Sequence, residues 1–93
     1  MSKLSKEEVA SRLGALAHWR VDESGELART FEFADFRASM RFVNHVADAA
    51  EEAGHHPDID IRYSKVKLAL VTHDAGGLTA KDFDLAAAAD KFA

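Results

Sequence analysis

Between Asp35 and Gly54 the chain contains neither proline nor glycine. A run of that length reads as one long helix, with Asp35 as its N-cap and Gly54 as the C′ residue that ends it. On a wheel of about 100° per residue, Arg37, Arg41, Asn44, His45, Asp48, Glu51 and Glu52 gather on one side. The remaining arc, with Phe36, Met40, Phe42, Val43, Val46 and five alanines, covers more than half of the circumference. A helix lying on one sheet needs a narrower stripe. Either this helix buries one flank on its own sheet and offers part of the other to a partner subunit, or the terminal helices of the same chain cover it.

The segments on either side supply the sheet. Trp19 and Val21 alternate with Arg20 and Asp22, and Leu27, Arg29, Phe31 and Phe33 alternate with Ala28, Thr30 and Glu32. This period of two predicts a hairpin joined by Glu23-Ser24-Gly25-Glu26, with glycine able to take a positive φ in the turn. After Gly54, Ile59, Ile61 and Tyr63 alternate with charged residues, and Val66, Leu68, Leu70 and Thr72 alternate with Lys65, Lys67, Ala69, Val71 and His73. These two strands form a second hairpin.

Two further helices are marked at their starts. Ser5 and Glu8 stand as N-cap and N3 of a capping box, with Leu4 and Val9 as its hydrophobic staple, and helix 1 is expected from about Lys6 to near Ala17. Thr79, Asp82, Leu78 and Phe83 repeat that pattern, and helix 3 is expected to run to the C-terminus with Leu85 and Phe92 as anchors. The order α-β-β-α-β-β-α predicts a single α+β domain over residues 1–93, a two-layer structure in which three helices cover one face of a four-stranded antiparallel sheet.

Composition narrows the chemistry. With no cysteine, disulfides, thiolate metal sites and thiol nucleophiles drop out, leaving His, carboxylate, hydroxyl and backbone groups. The net charge of −4 and the lack of a dense Lys/Arg cluster speak against direct nucleic-acid binding. The N-terminus has no apolar signal region and no run approaches the length of a membrane span, so a cytoplasmic protein without membrane contact is expected. At 93 residues the surface-to-volume ratio favours self-association, as a homodimer or homotetramer.

Three of the five histidines, His55, His56 and His73, lie within nineteen residues. Imidazole ordinarily titrates near neutrality, which suits it to proton transfer. If Tyr63 and Ser64 form a two-residue turn, position numbers in the second hairpin sum to 127, setting Ile61 against Val66, Asp60 against Lys67 and Ile59 against Leu68. Extended to the open end, this register brings His55 opposite Thr72 and His73 beside Gly54. Glu51, one turn before His55, can orient an imidazole or stand solvated at the helix end. A metal site is the competing use of three histidines. The adjacency of His55 and His56 argues against it, because neighbouring side chains of an extended segment point opposite ways. His18 and His45 have no such company and read as surface or edge residues.

The order Glu51-x-x-x-His55-His56-Pro57, Tyr63-x-x-Val66, Thr72-His73-x-x-x-Gly77-Leu78-x-x-x-Asp82 resembles the pterin-4a-carbinolamine dehydratase family. The likeness extends upstream through Phe31-x-Phe33-x-x-Phe36, Ala38, Phe42, Val46-Ala47 and Trp19. It departs from the family at Ser64, where relatives often have Asn, and at Ile59, where many have an aromatic residue. The resemblance implies dehydration of a 4a-hydroxytetrahydropterin to the quinonoid dihydropterin, supporting pterin recycling after aromatic amino acid hydroxylation. His55 and His73 would be the proton-transferring pair and His56 a binding and assisting group. Pro57 and Thr72-His73-Asp74 would bind the pterin, Glu51 would orient, and neither a metal nor another cofactor is called for. The family likeness also carries two alternatives: a non-catalytic dimerisation cofactor for another protein, and a binder or enzyme for a different, molybdenum-cofactor-related pterin.

Overall fold

The computed structural model describes residues 2–93. Helix α1 (Lys6–Leu13) is followed by strands β1 (Arg20–Val21) and β2 (Leu27–Glu32), the long helix α2 (Phe36–Ala53), strands β3 (Asp58–Arg62) and β4 (Lys65–Leu70), a 3-10 turn (His73–Ala75) and helix α3 (Ala80–Asp90). The sheet is antiparallel in the order β1-β2-β4-β3, so the two hairpins meet where β2 pairs with β4. This is the α+β order expected from the sequence.

Alternation sorts the residues of the sheet. Leu27, Phe31, Val66, Leu68 and Leu70 are buried on the face beneath the helices, with Ile59 and Ile61 half-buried beside them. They pack against Phe42, Val43, Val46 and Ala50 of α2 and Phe83, Leu85, Ala86 and Ala89 of α3. The other face presents Thr30, Glu32, Asp60 and Lys65, with Glu32 opposite Lys65 and Asp60 opposite Lys67. In the second hairpin Ile61 pairs with Val66 and Ile59 with Leu68, the register expected from a two-residue turn. Tyr63 takes a φ of +53°, the left-handed conformation such a turn demands of one of its central residues, and the Phe33 N–H donates to the Ser64 carbonyl at 2.8 Å.

Helix α1 stops four residues before the expected Ala17. Its last bonds tighten to i−3 partners, with Ala15 N–H on the Arg12 carbonyl and Leu16 N–H on that of Leu13. This turns Leu16 into the core and leads to the buried Trp19. Strand β1 is only two residues long, and Val21 is left 39% exposed at the margin of the sheet. The turn after it is organised by Asp22, whose Oδ1 accepts the Glu26 and Ser24 N–H groups at 3.0 and 2.9 Å, while Gly25 takes a φ of +84°.

Arg29, on the core side of β2, is accommodated by lying 4.0 Å over the Phe31 ring and donating to Asp90 Oδ1 at 2.7 Å. Asp90 also accepts the Trp19 indole N–H at 2.9 Å, so one carboxylate fastens the end of α3 to the first hairpin. Helix α3 covers one flank of α2, and beyond its end Phe92 stacks on His45 with ring centroids 5.3 Å apart. The wide apolar arc of α2 is thus partly covered by the chain's own C-terminal helix, while Phe36 remains 50% exposed.

Two expectations follow. The backbone N–H and hydroxyl of Ser5 hold the Glu8 carboxyl below its ordinary range, and the Glu26 N–H, then that of Ser24, do the same for Asp22. A carboxyl lowered in the folded state adds stability above its unfolded pKa that is lost as pH falls through the folded value. The double variant Glu8→Gln, Asp22→Asn should therefore show a flatter loss of melting temperature below about pH 4. Gly54 has a φ of +64°, and a Cβ there would meet open space, so Gly54→Ala should lower stability through backbone conformation alone, by about 1–2 kcal/mol in urea unfolding.

Candidate active site

Helix α2 ends in a Schellman motif: the Gly54 N–H donates to the Glu51 carbonyl at 3.2 Å and the His55 N–H to that of Ala50 at 3.1 Å. The motif fixes the backbone of His55 as the chain leaves the helix. From the other side, the Thr72 N–H donates to the Gly77 carbonyl at 3.2 Å, closing the short loop that contains His73 and Asp74. Strand pairing stops at Leu70, so His73 begins a 3-10 turn rather than ending a strand.

Asp82 joins these segments. As the N3 residue of α3 it accepts the Thr79 N–H on Oδ2 at 2.9 Å, as a capping box requires. Its carboxylate is fully buried and has further partners: the Thr72 hydroxyl at 2.8 Å on Oδ2 and His55 Nε2 at 2.6 Å on Oδ1. Proton bookkeeping then orders the network. The single hydroxyl proton of Thr72 goes to Asp82, so the Thr79 hydroxyl, 2.8 Å from that of Thr72, must donate to it. The Thr79 oxygen in turn accepts the Lys81 N–H at 3.3 Å. With the carboxylate as acceptor throughout, His55 carries its proton on Nε2, and in the neutral ring Nδ1 keeps the lone pair.

His56 Nε2 is hydrogen-bonded to the Glu51 carboxylate, and both side chains are exposed. Glu51 therefore engages the second histidine of the pair rather than the first. An open cleft of about 300 Å³ gathers His55, His56, Thr72, His73 and Asp74, with Lys81 on its wall. Pro57, half-buried, and Glu51 are not in that wall. Two of the residues here were not named as site residues from the sequence. Asp82 reads as a helix cap, and its bonds to Thr72 and His55 leave no local sign in the sequence. Lys81 gave no signal in the sequence. Among the described residues no three His, Asp or Glu side chains converge as a metal-ligand set, and no helix is long and apolar enough to cross a membrane.

An imidazole held by a buried carboxylate, beside two further imidazoles in an open cleft, is an arrangement suited to proton transfer. The family model for pterin 4 alpha carbinolamine dehydratase matches residues 2–92. Provisionally named pterin-4-alpha-carbinolamine dehydratases of Chloroflexus aggregans and Acidobacterium capsulatum are 55% and 59% identical, the first covering 98% of this chain and 97% of the relative, the second 94% of each. A crystal structure from Brucella melitensis, described as a transcriptional coactivator/pterin dehydratase, superposes with a TM-score of 0.95 at 30% identity over 99% of both chains. A pterin dehydratase-like protein identified as a RuBisCO assembly factor in the alpha-carboxysome superposes with a TM-score of 0.68 at 25% identity, covering 80% of this chain and 87% of the other. The chain belongs to the pterin-4-alpha-carbinolamine dehydratase family.

Removing Asp82 leaves donors from three residues without their acceptor. Asp82→Ala should cost about 3 kcal/mol in urea unfolding. Asp82→Asn, which can still accept but no longer carries charge, should cost distinctly less.

Proposed function

We propose that this protein dehydrates a 4a-hydroxytetrahydropterin to the quinonoid dihydropterin, as a cytoplasmic homo-oligomer that returns pterin cofactor after aromatic amino acid hydroxylation. The observation that carries the reading is the convergence of His55, His56 and His73 on one cleft with His55 anchored to buried Asp82. In the reaction the N5–H proton leaves, its electrons form the C4a=N5 bond, the C4a–O bond breaks, and the hydroxyl takes a proton to depart as water. Oxidation state is unchanged, so the step asks for one proton acceptor and one donor.

A carboxylate behind an imidazole stabilises the imidazolium that forms when the ring takes a proton. That makes His55 the acceptor for the N5 proton. His73 is exposed and, among the described residues, has no carboxylate partner, which suits it to give a proton to the departing hydroxyl. His56, turned toward Glu51, binds and assists. Asp74 and the cleft backbone supply polar contacts for the amide-like edge of the pterin, while Thr72 positions Asp82 and Pro57 sets the path of the chain after the histidines.

A protein-binding role is the second reading. It is favoured by the half-exposed Phe36 on α2 and by the coactivator and assembly-factor descriptions of the two superposed structures.

Chelator-treated protein should accelerate the loss of chemically generated 4a-hydroxytetrahydropterin at neutral pH, followed by ultraviolet absorbance. His55→Ala and His73→Ala should each lower the rate by about a hundredfold or more while preserving the fold. Unchanged rates in both folded variants would rule out the assignment.

A further inference from the structure

The loop from Thr72 to Gly77 carries His73 and is bonded largely to itself. Its ends are joined by the Thr72 N–H on the Gly77 carbonyl at 3.2 Å, and inside it the Ala75 and Gly76 N–H groups donate to the Thr72 and His73 carbonyls, each at 3.0 Å. Such bonds shape a loop without fixing where it sits on the fold. Its start is tied down by the Thr72 hydroxyl on Asp82. At its far end, among the described residues, the backbone hydrogen bond that links residues 72–78 to another segment runs from the Leu4 N–H to the Leu78 carbonyl, at 2.7 Å. Leu4 immediately precedes the capping box of α1, and its side chain packs against the core with Val9 and Leu13. The arm that reaches the loop is therefore anchored behind itself.

Gly77 lies outside the left-handed region, so its backbone conformation does not call for glycine. Space does. An added Cβ would stand 3.1 Å from Lys3 Cδ and 3.4 Å from Lys3 Cβ, so the lysine stem lies flat across the loop where any side chain would lift it. We propose that Lys3 and Leu4 form a strap that positions the loop of His73, so that the N-terminal arm sets where the proton donor stands in the cleft. Both are positioning residues: they act through Gly77 and Leu78, and neither lines the histidine cleft. A strap of this kind matters because an error of about 1 Å in the placement of a reacting group can cost on the order of a hundredfold in rate. The inference rests on the role given to His73 above, and it extends the site to a segment some seventy residues away in sequence.

The test is a double-mutant cycle of Gly77→Ala with Lys3→Gly, which removes the stem that the new methyl would strike. Alone, Gly77→Ala should lower kcat at neutral pH by about tenfold. It should also flatten the decline in rate above neutrality, because a donor must be protonated to act and a displaced donor no longer sets that limb. In the Lys3→Gly background the same substitution should change kcat by less than about twofold. An unchanged kcat in folded Gly77→Ala overturns the proposal. So does a loss that persists in the Lys3→Gly background, since it then belongs to the loop alone. The His73 ring resonances should follow the same cycle, with those of His55 unmoved, and they need no turnover to be read. If the natural protein does not accelerate dehydration yet His73 obeys the cycle, the dehydratase reading falls and the strap stands. Should Gly77→Ala fail to fold, hydrogen exchange of the natural protein decides. The Leu4 and Gly77 amides should be protected to a similar degree and open as one unit, and a Leu4 amide exchanging at the rate of an open chain refutes the strap.

Discussion

The buried carboxylate of Asp82 ties three separate segments into one site. It caps α3 through the Thr79 N–H, holds the strand-end hydroxyl of Thr72 and grips the His55 ring. A carboxylate shut away from water is strongly unfavourable unless its oxygens are filled by donors. Here the donors come from the loop before α3, the end of β4 and the end of α2, so satisfying the charge brings the site together. The same contacts that stabilise the fold decide which nitrogen of His55 bears the proton. Folding and the orientation of the His55 ring are thus coupled through a single side chain.

That carboxylate works only because the elements around it are held in register. The β3–β4 pairing sets the ends of the second hairpin side by side, and the Schellman motif at Gly54 fixes where α2 releases the chain. Phe31, Phe42, Val46 and Leu68 fill the layer between sheet and helices and keep α2 and α3 from sliding. Small residues of α2 and α3 line a cavity beside His55. The histidine cleft is polar because it is built from loop and strand ends, and the cavity between α2 and α3 is apolar because it is built from helix faces.

Most of the architecture was legible in the sequence because its signals are local. Ser5 with Glu8, Thr79 with Asp82, Asp35 and Gly54 all act where the pattern of caps places them. The second hairpin was readable because a two-residue turn at Tyr63 and Ser64 sets apolar against apolar and acid against base. The end of α1 was not, since Ala15 to Ala17 are compatible with helix, and the chain leaves it there to bury Leu16 and Trp19. The convergence of His55, His56 and His73 could be inferred from the hairpin, but the partners of the imidazoles could not. Glu51 pairs with His56, and the residue that holds His55 lies 27 positions away at the start of another helix. Tertiary hydrogen bonds of this kind leave no periodic trace.

The role of Asp82 is tested most directly by the protonation pattern of the His55 ring, read from long-range ¹H–¹⁵N correlations at a pH where the ring is neutral. A hydrogen bond to Asp82 requires a proton on Nε2 and a bare Nδ1, with the pattern lost in Asp82→Asn. A neutral ring protonated on Nδ1 would contradict it, because Asp82 would then not be the acceptor that orients the ring.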